Sequence, residues 1–281
     1  MAQINNNRVS VLVSSCDSYS DLWDPFFLCI ERFSKGNVPY PFYLNTEHAR
    51  YEYNGNVTLT VINQLSEKQI SWSKRMLDAL KRIPEQYVFL LLDDFYACDT
   101  ICWDKFEEIL DKMDGDPNIA SVQMYGTRVR NKSPENYEVS DSIKYRVMEP
   151  KGWKTHFVPT IWRKDVLMRW LRPWETIWAF ESCGSARARR WHYPEDVLVI
   201  DNPPIYDYLW IKDCSAVING KWLGEPELSE FFEKNEIPVD YSKRGKLTYE
   251  EYKAITMKDV VKRYTLPQII VKAFNRFRSL F

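Results

Sequence analysis

The chain has 281 residues, 45% of them hydrophobic, and a formal net charge of −1. That length suits one large α/β domain with additions or two small ones, and the apolar content excludes general disorder. Near-neutral charge argues against a nucleic-acid binder, and no apolar run approaches a membrane span.

The opening MAQINNNRVS is polar and lacks an apolar signal region, so a cytoplasmic location is expected. RVSVLVSS, residues 8–15, reads as a strand ending in small polar residues, with Cys16 to Asp21 as a loop. Residues 22–33 have helical spacing. PFYLNTE (41–47) and NVTLTVIN (56–63) read as the next strands. In residues 71–83, Trp72, Met76, Ala79, Leu80 and Ile83 share one helical face, and Pro84 ends the helix. The run 87–92 is apolar enough for a strand buried on both faces, and it leads into Asp93 and Asp94. A helix over 103–113 and a strand over 119–126 complete an alternating pattern. That pattern predicts a mainly parallel, Rossmann-like central sheet flanked by helices.

Residues 127–153 are a polar excursion. KTHFVPTIWR is strand-like, a short helix covers 164–171, and the aromatic PWETIWAF precedes a basic helix. VLVIDN and IYDYLW read as strands, and INGKW (218–222) closes this part. The expected division is a catalytic domain over 1–225 and a helical, basic extension over 226–281. From Tyr241 onward the segment carries +7 and the rest −8. Its last helix places Ile270, Phe274, Phe277 and Phe281 on one face. That face either docks on anionic lipid at the inner membrane surface or packs onto the domain or a second copy in a homodimer. The six cysteines include no Cys-x-x-Cys, and with three histidines they read as buried thiols rather than a metal site.

Carboxylates at the carboxyl end of a parallel strand stand where open α/β sheets bind ligands. Two adjacent ones repel unless a cation holds them, although two solvated acids with one capping a turn would look the same. The segments RVSVLVSSCDSY, SWSKRMLDALKRI leading into YVFLLLDDFY, and WAFESCGSARA together make the chain resemble bacterial GT-A type glycosyltransferases of cell-surface polysaccharide synthesis. The resemblance covers roughly the first 225 residues, and the acid pair lacks the spacer of that family's Asp-x-Asp. It implies a nucleotide-sugar donor and a glycan or lipid-linked acceptor, with Mn²⁺ or Mg²⁺ as cofactor. Ser14, Ser15 and Asp17 match the nucleoside-contacting loop, and Asn45 more loosely a base-contacting position. A turn or helix cap explains each equally well. Lys74 and Arg75 match basic residues near the donor, or are solvated charges. Asp94 is expected to bind the metal and Asp93 the sugar side, or the reverse. Glu181 matches the acid that takes the acceptor's proton, its alternative being an ion pair with Arg187 or Arg189. His192 would complete a metal site, or is a packed or surface histidine. Lys221 would neutralise the leaving diphosphate, or is a turn lysine after Gly220.

Other readings compete. A sugar-phosphate nucleotidyltransferase needs a Gly-rich phosphate loop, and SSCDSYSD contains no glycine. A phosphohydrolase follows its acids with a small hydroxyl residue, whereas Phe95 and Tyr96 follow here. A degenerate transferase fold acting as a scaffold subunit would show no turnover of nucleotide sugars.

Overall fold

In a computed structural model, which describes residues 8–124, 142–201, 205–255 and 273–281, the expected strands of the first half form. They are β1 (Val9–Ser14), β2 (Phe42–Asn45), β3 (Leu59–Ile62), β4 (Tyr87–Leu92) and β5 (Ile119–Gln123). The crossing helices are α1 (Trp23–Phe33), α2 (Trp72–Arg82) and α3 (Asp104–Gly115). Ser71 caps α2 by accepting from the Lys74 N–H at 3.1 Å. With β6 (Tyr145–Val147), β7 (Thr160–Arg163) and β8 (Asp196–Ile200), these strands make one eight-stranded sheet of order β3-β2-β1-β4-β7-β5-β8-β6. β6 and β7 run against their neighbours, and the other strands run together. This is the mainly parallel, Rossmann-like class that the alternation predicts.

Strand parity builds two cores. Tyr87, Phe89 and Leu91 face the side of α1 and α3, whereas Val88 and Leu90 pack with Met76 and Leu80 of α2. Burial on both faces is why the run is continuously apolar. From β1 the chain moves outward to β2 and β3, then returns as β4 on the other side of β1. The carboxyl ends of β1 and β4 therefore flank a reversal of strand order, where such sheets open a crevice. Ser14 pairs with Leu92 in register, which brings Ser15 abreast of Asp93.

Several elements differ from expectation. Only Thr160–Arg163 of KTHFVPTIWR is a strand, and it is antiparallel. IYDYLW is not a strand; one bridge links Tyr208 to Ala97. Its aromatics are instead anchored crosswise: Tyr206 donates to the Phe95 carbonyl at 2.7 Å, and Tyr208 stacks on Phe95 at 4.5 Å. Within the polar excursion, β6 joins the sheet edge beside β8, while residues 125–141 lie outside the described residues. INGKW forms the hairpin of β9 (Val217–Ile218) and β10 (Lys221–Leu223). Its turn residues Asn219 and Gly220 both have positive φ (52° and 78°), as a two-residue hairpin of this hand needs.

The helices after β7 include α4 (Lys164–Trp170), α5 (Ser185–Arg190) and, after β10, α6 (Pro226–Lys234). Leu228, Phe232 and Ile237 of the α6 region enter the same core as the sheet's Phe89 and Tyr96. β11 (Lys246–Leu247) pairs with β10, and α7 (Tyr249–Ala254) has a capping box from Thr248 and Glu251. None of the six cysteines forms a disulfide. Among the described residues no helix is long and apolar enough to cross a membrane.

Candidate functional site

The same parity that splits the core splits the site. Ser15 and Asp93 continue the α1 side of β1 and β4. There the Ser15 hydroxyl donates to Asp93 and accepts from the Trp23 indole N–H at 2.7 Å. Burial holds Asp93 well above the usual carboxylate range, and the neighbouring Asp94 charge adds to this; the Ser15 bond and the Arg244 charge pull it back. Burial also pushes Asp94 up to about 6, against a hydrogen bond from Ser215. Both carboxylates are thus harder to ionise than an ordinary aspartate, and positive charge nearby would ease it.

Ser14 and Asn45 point to the opposite face, under the amino end of α2. The Trp72 indole N–H donates to the Ser14 hydroxyl at 2.8 Å. Asn45 is 2% exposed, and its Nδ2 has no hydrogen-bond partner among the described residues. Nη1 of buried Arg75 makes no hydrogen bond among them either, but stands in an ion pair 3.5 Å from Glu47. A buried donor without an acceptor is costly, and an oxygen-bearing ligand would satisfy Asn45 and compete for Arg75. Lys74 forms an i,i+4 ion pair with Asp78 at 2.5 Å. Asp17 ties two loops together: its carboxylate accepts from the Thr46 hydroxyl (2.7 Å) and from the N–H groups of Glu47, His48 and Ala49.

Glu181 lies in a π-helical turn, Phe180–Gly184, just before α5. Its Oε1 accepts from the Phe157 N–H at 3.0 Å and stands 3.5 Å from His156 Nε2. Thr155 braces the turn by donating to the Phe180 and Glu181 carbonyls. Trp72 links this turn to the sheet, with ring contacts to Phe157 (5.3 Å) and Phe180 (5.7 Å) and its indole on Ser14. Glu181 therefore belongs to the carboxyl edge of the sheet, one aromatic wall away from the β1 end. The expected alternative, an ion pair with Arg187 or Arg189, does not form. Arg187 instead pairs with Glu175, both fully buried, and donates to the Ser279 carbonyl.

His192 is misplaced for a metal site. It precedes the amino end of β8, which runs parallel to β5 and hence to β4. Asp93 and Asp94 follow the carboxyl end of β4, so the histidine belongs to the opposite edge, exposed and at positive φ (47°). Lys221 is exposed at the start of β10, directly after the hairpin turn. The residue that sequence reasoning missed is Arg244. It pairs with Asp21, donates to the carbonyls of Gly220 and Ser18 at 3.0 Å, and lies over the Tyr19 ring at 4.5 Å. No local pattern marks it; it acts on a loop 223 positions away in the chain.

Among the described residues no group of three or more His, Cys, Asp or Glu side chains is arranged to hold a metal. Mg²⁺ needs no such group, since it binds through one or two carboxylates with waters and substrate phosphates. The Asp93 and Asp94 carboxylates are hard oxygen donors whose charges a cation would relieve, so the pair fits.

No family model and no curated protein matches the chain. Among solved structures it is similar to S. aureus TarS 1–349, with a TM-score of 0.47 and 14% identity over 72% of this chain and 60% of that one. A CMP:2-keto-3-deoxy-manno-octonic acid synthetase complexed with CTP gives 0.42 at 11% identity, over 82% and 97%. The galactosyltransferase LgtC, with donor and acceptor sugar analogues, gives 0.33 at 12% identity over 66% of each chain. The chain spans 37% of a longer TarS structure. The likeness is one of general sheet architecture.

Proposed function

We propose that the chain is a glycosyltransferase. It moves a sugar from a nucleotide-activated donor to a glycan or lipid-linked acceptor in building cell-surface polysaccharide. The observation that carries this reading is the Asp93–Asp94 pair, with Asp93 buried and Asp94 half-buried, at the reversal point of the sheet. Glu181 stands at the same edge, across Trp72.

The roles follow from chemistry. Glu181 accepts the proton of the acceptor hydroxyl as that oxygen bonds to the anomeric carbon and the bond to the β-phosphate oxygen breaks. The nucleoside diphosphate leaves with the bonding electrons. Asp94 and Asp93 would hold Mg²⁺ or Mn²⁺, which would supply positive charge against a departing diphosphate. Asn45 Nδ2 and Arg75 Nη1, neither hydrogen-bonded among the described residues, offer donors to the nucleoside. Ser14, Ser15 and Asp17 shape the nucleoside loop chiefly through the internal bonds they already make, and Lys74 and Lys221 contribute positive charge at its margins.

A thermal-shift screen of nucleoside diphosphates, with Mn²⁺ and with EDTA, tests the reading. UDP or GDP should stabilise the protein, and metal should enhance the effect, since ligand bound to the folded state raises stability. Sugar transfer from one member of a nucleotide-sugar panel should follow. Release of pyrophosphate from a nucleoside triphosphate and a sugar phosphate would instead favour nucleotidyl transfer. Absence of any nucleotide binding would leave the scaffold reading.

A further inference from the structure

The described end of the chain docks with the wrong side inward for an ordinary amphipathic helix. Residues 273–278 are helical. The segment's hydrogen bonds to the body run through backbone carbonyls, and Arg278 and the Phe281 ring add cation–π contacts with Trp174 and Arg190. Ser279 is fully buried, and its carbonyl accepts from Arg187. The Arg276 carbonyl accepts from the Cys183 thiol at 3.7 Å, and the Phe281 carbonyl from Arg172 at 3.4 Å. The aromatic face is left outside: Phe274, Phe277 and Phe281 are 58%, 61% and 50% exposed. Ile270, the fourth residue expected on this face, lies outside the described residues; the three phenylalanines do not pack onto the chain's own core.

The surrounding surface extends the same chemistry. Trp191 is 52% exposed, and the Arg190 guanidinium lies over both its ring (5.3 Å) and that of Phe281 (5.1 Å). Arg278 lies over Trp174 at 4.0 Å and Phe274 at 5.5 Å. Trp178, 74% exposed, heads the helical turn that carries Glu181. Neither 185–190 nor 273–281 contains an acid. Exposed aromatics on this scale mark an interaction surface rather than scattered surface residues. Of the two acids in 174–181, Glu175 is buried in its pair with Arg187 and Glu181 is turned to the Phe157 N–H. Rings backed by arginines suit the boundary of an anionic bilayer, where Trp and Phe enter the headgroup region and Arg meets phosphate.

We propose that this face seats the protein on an anionic membrane surface, with the Glu181 turn held beside the lipid. The proposal rests on the transferase reading only for its purpose, the presentation of a lipid-linked acceptor; the docking itself is independent of it. The test is co-sedimentation of the full chain with vesicles of phosphatidylcholine alone and with added phosphatidylglycerol, at low and high salt, with no nucleotide present. The protein should pellet with the anionic vesicles at low salt and release as salt rises. Phe277→Ser combined with Trp178→Ser should weaken partitioning roughly tenfold or more, since it removes two large aromatic side chains from the apolar boundary. Both side chains are exposed, so melting temperature and UDP-induced stabilisation should stay at wild-type values. Failure to pellet at low salt overturns the proposal, as does a double variant that pellets like wild type. A dimer that the variant dissociates, without vesicle binding, overturns it in favour of a second copy. Vesicle binding without any nucleotide stabilisation would leave the docking intact and sink the transferase reading instead.

Discussion

Asp93 and Asp94 occupy a position that costs the fold energy, and that cost is the reason to connect them with a cation. Asp94→Asn should leave the fold intact, raise the stability of the metal-free protein and abolish the Mn²⁺ increment in nucleotide-induced stabilisation. Equal increments in variant and wild type would remove Asp94 from the metal site. Glu181→Gln keeps the size of the side chain and removes its basicity. It should lower turnover by roughly a hundredfold or more with donor affinity unchanged; near-normal turnover would rule out the base. Asp17 illustrates the opposite electrostatic sign. Burial alone would raise its pKa, but the Thr46 hydroxyl and three backbone N–H groups outweigh this and hold it below the usual value of 3.8. The unfolded chain therefore binds the proton more readily. The stabilisation is fully present above that value and is lost as pH falls through the lower folded pKa. Asp17→Ala should cost about 2 kcal/mol at neutral pH, and urea titrations should show the gap to wild type narrowing below pH 3.8. A pH-independent gap would mean that the carboxylate charge contributes nothing.

At the scale of elements, the Glu175–Arg187 pair is the pin of the region around Glu181. Arg187 reaches Glu175, the Trp170 carbonyl and the Ser279 carbonyl, and the Glu175 carbonyl accepts from the Ser73 N–H of α2 at 3.1 Å. One buried guanidinium thus joins α2, the end of α4, α5 and the described end of the chain. Arg187→Met should destabilise by about 3–5 kcal/mol, because it leaves the Glu175 carboxylate buried and unpaired. Adding Glu175→Leu should restore much of the loss in chemical denaturation. If the double variant is as unstable as the single, the penalty lies in packing rather than in the stranded charge.

Across the whole molecule, the segment after residue 225 completes both the core and the candidate site. Phe232 packs edge-on to Tyr96 (5.1 Å) and Trp222 (6.0 Å), while Arg244 clasps the loop beyond β1. A chain ending at residue 225 should therefore melt well below the full chain and lose nucleotide-induced stabilisation; an unchanged melting temperature would show the two parts to be independent. The sequence alone determined the strands of the first half, α2 with its Pro84 stop, and the placement of two acids at a strand end. Period and composition report burial and local geometry, which are properties of neighbours in the chain. Parity was also legible in principle, since consecutive serines after β1 must face opposite ways, Ser15 to Asp93 and Ser14 to Trp72. Tertiary structure decided the rest. It set the antiparallel course of β7, turned IYDYLW into an aromatic anchor, sent His192 to the far edge of the sheet and brought Arg244 to Asp21. It also left the phenylalanine side chains of residues 273–281 in solvent by docking that segment through carbonyls onto Arg187, Cys183 and Arg172. These depend on which distant surfaces meet, and backbone carbonyls that meet a buried arginine leave no trace in the pattern of side chains.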